Sequence, residues 1–443
     1  MKNPHDQPSR RQLLTSAAAA AGAASLPGCK SDGTTRLSVG ADDRVVPRAP
    51  DKDPIPEGQP IRLGLIGTGG MGGGHLGNML KQIEEGDEHF QVVALADVNS
   101  AWLEDKAARA RDGQPGVSVD SYGNYKDLLA REDVDCVLIA APEHWHATMA
   151  VDAIASGKDV YCEKPMTLAL EEAFWMERTM AANPHMRLQV GTQFMMHGKY
   201  KAAKRLVADG EIGHPTLSQT SYCRNTPGGE WNYYAIDERV QPGETLDWEG
   251  WCGPKGTRDW DPLVYHRWRR YKDFSTGIIG DLLVHVMTPM MFALDRGWPV
   301  RISAAGGHYI DKEMENHDQV FLTVEFEEDH TMVVAGASNN STGLETLIRG
   351  NQANLFLNGT HCEMRPEQPY AEDMEPRTIE CDAIQDQRAL RLDWLQAVRT
   401  RGANQSPVEL ATQVMVVVDL ATRALWQGGT WTFDPGTRSV AQV

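Results

Sequence analysis

Residues 61–72 read Ile-Arg-Leu-Gly-Leu-Ile-Gly-Thr-Gly-Gly-Met-Gly. Ile61–Ile66 is a short apolar run, the pattern of a buried strand. Gly67, Thr68, Gly69, Gly70, Met71 and Gly72 follow at once, and a helical pattern then continues to Gln82. A G-x-G-x-x-G run between strand and helix is the turn that cradles a dinucleotide. Gly67 allows the tight turn, Gly69 lets a pyrophosphate approach the backbone, and Gly72 lets helix and strand pack closely. The phosphates would lie on the helix N-terminus, where free N–H groups and the dipole favour anions.

Working outward, Gln91–Ala96 reads as a second strand that ends at Asp97. An acidic side chain there accepts hydrogen bonds from a ribose and repels a 2′-phosphate, so NAD is favoured over NADP. Residues 101–111 and 125–129 carry helical patterns. Val134–Ala140 is a third strand, broken by Pro142. Thr148–Ala155 is helical and closed by Gly157, and Val160–Cys162 is a fourth strand. This alternation predicts a parallel sheet covered on both faces, with ligands at the carboxyl ends of its strands. Glu163-Lys164-Pro165 falls at such an end, where a lysine would meet the nicotinamide of the cofactor.

The 443 residues provide room for about two to three domains. Hydrophobic residues at 41% and charged residues at 23% describe a globular chain rather than a disordered one. A net charge of −18 argues against a nucleic-acid partner. Most of the twelve tryptophans are expected in cores. Residues 1–29 read as an export signal. Arg10 and Arg11 precede an apolar stretch, Ala17–Ala24, that is too short to span a bilayer. The arginine pair resembles the twin-arginine signal, which carries folded proteins. Leu26-Pro27-Gly28-Cys29 resembles a lipoprotein box, with Cys29 as the lipid anchor, so the expected address is the periplasm or the outer face of a membrane. Residues 30–60 read as a flexible polar linker. No cysteine or histidine spacing suggests a metal site.

Gly67–Gly72, Asp97, Ala141-Pro142 with His146, and Glu163-Lys164-Pro165 together resemble the Gfo/Idh/MocA oxidoreductases, the glucose–fructose oxidoreductase and inositol dehydrogenase group. Gly191-Thr192-Gln193 matches a further habitual position of that family. The resemblance implies a Rossmann NAD-binding domain over 61–193. It also implies a C-terminal α+β domain over 194–443 with a large, mostly antiparallel open sheet. Thr216–Tyr222, Arg301–His308, Gln319–Phe326, Thr331–Ala337, Thr346–Arg349 and Asn354–Leu357 read as its strands, and 384–399 and 408–426 as helices. Family members are commonly dimers or tetramers, so a homo-oligomer is expected.

Gly280-Asp281-Leu282-Leu283-Val284-His285 matches the family's second signature. Asp281 and His285 are four apart, one turn on the same helical face. Oxidation of a carbinol needs a base for the hydroxyl proton. His285 suits that role, with Asp281 holding its ring and Lys164 bonding the same oxygen. Ala141, Pro142, His146, Glu163 and Gln193 are expected at the cofactor. The Trp-, Tyr- and Arg-rich segment 231–274 is expected to wall the substrate pocket. Tyr265, His266 and Arg267 are its nominated substrate contacts, with His144 aimed at the same cleft. A sugar or polyol oxidoreductase is the reading these residues support. An exported enzyme would load NAD before export and recycle it in place. Two other readings compete with it: an NAD-retaining glycoside hydrolase or epimerase working through a transient keto-sugar, and a catalytically inactive surface sugar-binding lipoprotein.

Overall fold

The turn after Ile66 takes the conformation that its glycines permit. Gly67 has φ +88°, and a Cβ on Gly72 would lie 1.9 Å from the carbonyl oxygen of Gly67, so only hydrogen fits there. Around this turn the computed structural model describes residues 36–40 and 43–443. The export signal read over 1–29, with Arg10, Arg11 and Cys29, lies outside the described residues.

After a two-residue strand β1 (Leu37–Ser38), the chain alternates strand and helix. The order is β2 (Ile61–Ile66), α1 (Gly70–Glu85), β3 (Phe90–Ala96), α2 (Ser100–Asp112), β4 (Asp120–Tyr122), α3 (Tyr125–Leu129) and β5 (Cys136–Ile139). Then come α4 (Glu143–Ala155), β6 (Asp159–Cys162), α5 (Leu170–Ala182) and β7 (Leu188–Val190). The six strands form one parallel sheet in the order β4-β3-β2-β5-β6-β7. Strands β2, β3, β5 and β6 are buried on both faces, which is why they read as near-continuous apolar runs.

The second half adds α6 (Gly198–Ala208), β8 (Pro215–Cys223), α7 (Trp248–Cys252) and α8 (Pro262–His266). A π-helical turn (Ile279–Leu283) runs into α9 (Val284–Leu294). Strands β9 (Pro299–Gly307), β10 (Gln319–Phe326), β11 (His330–Ala337), β12 (Leu347–Gly350), β13 (Ala353–Phe356), β14 (Cys362–Pro366) and β15 (Arg377–Ile379) follow. Helices α10 (Asp386–Thr400) and α11 (Val408–Gln427) and strands β16 (Thr430–Asp434) and β17 (Ser439–Gln442) end the chain. Eleven strands make one mixed sheet, antiparallel except where β8 meets β11. Alternate side chains of β10 and β11 are buried, so one face of the sheet carries the core.

Helix α10 does not stay with its own half. Leu390, Trp394, Leu395 and Val398 are buried in one cluster with Leu63 and Leu65 of β2, Leu76 of α1 and Phe90 of β3. The Trp394 ring meets Tyr161 of β6 edge to face, 5.5 Å between centroids. One layer of the nucleotide domain is thus supplied by sequence more than two hundred positions downstream.

The linker expectation for 30–60 is corrected over its described part. Residues 43–60 lie along the nucleotide domain, tied by hydrogen bonds from Trp175 Nε1 to Val45 O (2.8 Å) and from Asn183 Nδ2 to Pro47 O (2.9 Å). Lys52 reaches the buried carboxylate of Asp159 at 2.9 Å. Leu37 and Ser38 pair with β17. Composition showed a polar segment but not the fixed partners waiting for its carbonyls.

Glu143, the first residue of α4, pins the two halves together. Its fully buried carboxylate accepts from Ser275 Oγ (2.6 Å) and Thr276 N (3.2 Å), just before the π-helical turn. Burial pushes its pKa up to about 7, against the lowering by Ser275 and Thr276, and the nearby Asp281 adds to the rise. Above the unfolded value of 4.5 the unfolded chain releases this proton while the folded protein still holds it. Glu143 therefore favours folding most at acid pH and loses that contribution as pH rises to about 7. Glu143→Gln should match the parent at about pH 4.5 and gain on it by up to about 3 kcal/mol by about pH 8, read by urea unfolding at both pH values. A parent–variant gap that stays constant across that window would refute the buried-acid account. Trp394→Ala should cost about 3–5 kcal/mol in the same assay.

Candidate active site

A cavity of about 870 Å³ runs along the carboxyl ends of the parallel strands. Its wall includes Gly67, Gly69, Gly70 and Met71 of the glycine turn, Asp97 beyond β3, and Ala141 and Pro142 beyond β5. Glu163 and Lys164 beyond β6 complete this side. These positions follow from the parallel sheet, which turns each strand's carboxyl end toward one crevice. Gly72 stays out of the wall and supplies the close packing of α1 against the Gly67 turn.

Asp97 closes one end. Its Oδ2 accepts from Thr68 N (2.6 Å) and Thr68 Oγ1 (2.9 Å), and its Oδ1 accepts from Asn99 N (2.8 Å). Burial raises its pKa against these three donors. Oδ1 retains a free lone pair for a ribose hydroxyl. Thr68 is spent on fixing Asp97 rather than facing the cavity.

Lys164 lies toward the other end, after β6. Its Nζ donates to Asp281 Oδ1 (2.8 Å) and to Asp281 O (3.0 Å). Lys164 and Asp281 are both buried, so this pair stands in a low dielectric. Arg269 Nε donates to the same Oδ1 at 2.8 Å, and its guanidinium lies 4.1 Å over the Trp268 ring. Burial pushes the Asp281 carboxyl up, but Lys164 and Arg269 outweigh it and hold it well below the usual carboxylate range.

The expected contact between Asp281 and His285 is replaced by this arrangement. Asp281 sits in the π-helical turn and its carboxylate is engaged by two cations instead. A Cβ on Gly280 would meet Thr276 Oγ1 at 1.9 Å, which keeps that turn tight. The His285 ring packs beside the stacked pair Phe194 and Tyr222, with its centroid 5.4 and 5.9 Å from theirs. Its buried Nδ1 has no hydrogen-bond partner. Burial, aided by the Lys164 charge, lowers its pKa to about 3, so the ring is neutral at ordinary pH.

Behind Lys164, a buried chain fixes the neighbouring carboxylate. Glu163 Oε1 meets His75 Nε2 at 2.8 Å, and His75 Nδ1 meets Arg391 of α10 at 3.2 Å. Arg391 also donates to Gln82 at 2.8 Å. Burial would raise the Glu163 pKa, but its bond to His75 leaves it lowered. His146 bonds backbone on both sides, Pro165 O at 2.7 Å and Ala141 O at 2.8 Å, and so joins the two strand-end loops. Gln193 begins a 3-10 turn and is not part of the cavity wall.

The three nominated substrate contacts are placed elsewhere. Tyr265 and His266 line the cavity beside Trp102, toward the Asp97 end and away from Lys164. The Tyr265 hydroxyl accepts from Asn99 Nδ2 at 2.9 Å. His266 is spent within the loop, on Pro262 O and Asp237 N. Arg267 is outside the wall and donates to Tyr234 O and Asn232 Oδ1. His144 bonds Trp251 O at 2.9 Å. Sequence reasoning missed Arg269 and Arg391. An arginine among arginines carries no local signal, and only the fold brings these two to the carboxylate and the histidine.

The wall fits a dinucleotide: a glycine turn without side chains in its middle, a carboxylate at one end and a buried lysine toward the other. Among the described residues no group of His, Cys, Asp and Glu could hold a metal ion.

Residues 61–192 match the oxidoreductase family's NAD-binding Rossmann fold, and residues 196–442 match that family's C-terminal alpha/beta domain. An inositol 2-dehydrogenase of Klebsiella pneumoniae is 32% identical over 173 residues, 39% of this chain and 48% of the relative. One from Pseudomonas syringae is 34% identical over 173 residues, with the same coverage. The chain thus spans about half the length of these curated relatives. Two solved structures share the fold. An oxidoreductase domain protein from Kribbella flavida aligns with TM-score 0.64 at 19% identity, covering 84% of this chain and 98% of that one. Levoglucosan dehydrogenase in complex with NADH and levoglucosan aligns with TM-score 0.64 at 18% identity, covering 84% and 99%. With both of its halves matched in order, the chain belongs to the Gfo/Idh/MocA oxidoreductase family.

Proposed function

We propose that this protein oxidises a CH–OH group of a sugar or polyol with tightly held NAD. The observation that carries this reading is Lys164, aimed into the cavity wall and fixed by Asp281 and Arg269 at the end of a dinucleotide-shaped crevice. The inositol and levoglucosan dehydrogenases among its relatives support a polyhydroxylated substrate. Bound NAD supplies the hydride acceptor.

The protein's own groups divide the remaining work. Lys164 donates a hydrogen bond to the carbinol oxygen and stabilises its developing negative charge. Asp281 and Arg269 hold the Lys164 ammonium in place. His285 takes the hydroxyl proton. Its ring lies just behind the cavity wall and, being neutral at working pH, keeps one unprotonated nitrogen that can accept a proton. Glu163, held ionised by His75, lines the wall beside Lys164.

The address belongs to the same proposal. Arg10 and Arg11 suit export of a folded, loaded protein, and Cys29 suits a lipid anchor at the outer face of a membrane. The solvent-facing side of the eleven-stranded sheet, where Phe321 is 44% exposed, is the surface proposed for self-association.

The deciding experiment incubates the exported protein with sugars, polyols and glycosides, without added NAD, and weighs the products by mass spectrometry. Paired oxidised and reduced products establish an oxidoreductase that recycles its cofactor. Cleaved or isomerised products transfer the site to the hydrolase or epimerase reading, and no turnover with or without NAD sinks both. Lys164→Ala and His285→Ala should each lower kcat by about 10²–10⁴-fold with nucleotide binding retained. The imidazole NMR signal absent from His285→Gln should not titrate between about pH 5 and pH 8. Titration near the ordinary histidine value would remove the basis for the neutral ring.

A further inference from the structure

The aromatic segment 231–274 grips two loops on opposite sides of the crevice. On one side it meets the turn between β3 and α2. Ser100 N donates to Thr245 O (2.8 Å), Asp247 N donates to Val98 O (3.0 Å), and Asn99 and Leu246 form an antiparallel bridge. Asn99 Nδ2 donates to the Tyr265 hydroxyl (2.9 Å), and Trp102 Nε1 donates to Asp237 Oδ2 (3.0 Å). On the other side it meets the start of α4, where Trp145 Nε1 donates to Trp251 O (2.8 Å) and His144 Nε2 lies 2.9 Å from the same oxygen. A Cβ on Gly253 would fall 2.0 Å from the Trp145 ring, so the approach is as close as backbone allows.

The segment is rigid enough to serve as a wall. Trp248 stacks on Trp251 with centroids 4.9 Å apart, and Trp260, Tyr265 and Phe274 pack around them. Asp247, Gly250, Trp251, Pro254, Tyr265 and His266 face the same cavity as the glycine turn and Asp97. In a bare Rossmann domain this end of the crevice is open to solvent. Here it is roofed.

We propose that residues 237–266 of this segment form a strap over the adenosine half of the dinucleotide, and that it retains the nucleotide by making its release wait for the strap to open. The ligand class is a nicotinamide adenine dinucleotide, and the proposal rests on the reading of the crevice as its site. The contacts across the gap are two backbone hydrogen bonds, two indole N–H bonds, one phenol bond, the His144–Trp251 and Ser100 Oγ–Thr245 O bonds, and an ion pair between Arg239 and Asp105 of α2 at 3.0 Å. Each must break for the bases and riboses to leave, so the strap acts on the dissociation rate. The aromatic side chains serve enclosure, which is why their polar atoms are spent on loop carbonyls and carboxylates.

Two variants test the strap in opposite directions. Trp102→Phe with Tyr265→Phe keeps an aromatic ring at both positions and deletes the Asp237 and Asn99 bonds. Ser100 and Thr245 lie opposite each other in the antiparallel register set by Asn99 and Leu246. Cysteines there fall within disulfide reach. The readout is exchange of bound NAD for isotope-labelled NAD, followed by mass spectrometry of the filtered protein and independent of turnover. The Phe pair should speed exchange roughly tenfold or more. Oxidised Ser100→Cys/Thr245→Cys should slow exchange by a similar factor and recover on reduction. Exchange unchanged in both, with binding intact, overturns the strap while leaving the catalytic reading standing. A wild-type protein that neither carries nor binds NAD overturns the crevice assignment itself.

Discussion

A buried ammonium–carboxylate contact, Lys164 to Asp281 at 2.8 Å, is the constraint on which the rest of the site depends. Lys164 ends a strand of the nucleotide domain, and Asp281 belongs to the turn that begins α9. Neither charge could be buried alone, because each would lack compensation in a low dielectric. Their pairing therefore requires the two halves to meet at one place. Arg269 adds a second cation to the same oxygen, so Asp281 stays ionised despite burial. Glu143 lies beside this cluster and yields where Asp281 does not. With hydroxyl and amide partners but no direct cation, its carboxyl holds its proton to about pH 7. Two carboxyls packed against the same turn are driven in opposite directions by their partners.

The nucleotide half was legible because its signals are local. A two-face buried strand reads as an apolar run, and the glycine turn needs its residues for reasons of backbone space. What escaped was short or distant. Strands β4 and β7 are three-residue edges, too brief for periodicity to register. The layer supplied by α10 was invisible because an amphipathic helix announces an apolar face without naming what it covers. Residues 43–60 misled for the same reason: polar composition describes a segment's own chemistry, not the Lys52–Asp159 and Trp175–Val45 contacts that hold it.

Within the site, strand ends were readable and helix spacing was not. Lys164 lies in the crevice because β6 delivers it there. Asp281 and His285 were paired on the premise of 3.6 residues per turn, and a π-helical turn over Ile279–Leu283 removes that premise. The displaced carboxylate found Lys164 and Arg269, and His285 was left to two aromatic rings. That exchange alters the chemistry available. A histidine bonded to a carboxylate is a stronger base, whereas this one is neutral over a wide pH range, and in the proposed reaction it would depend on the ammonium of Lys164 to make a substrate hydroxyl more acidic.

The aromatic segment shows how composition and position separate. Tryptophan and tyrosine faces suit sugars, and proximity in sequence to the second signature suggested that use. In the fold residues 237–266 of the segment lie across the Asp97 end with donors and acceptors committed to α2 and α4, while Arg269 further on reaches Asp281 beside Lys164. At the Lys164 end His285, Tyr222 and Arg224 gather behind the cavity wall. If the roof holds the nucleotide, substrate and product must share that entrance. The bound nucleotide would then be returned to its starting redox state either within one turnover or by a second substrate entering the same way. On that reading, retention and recycling would be one constraint seen from two ends of a single cavity.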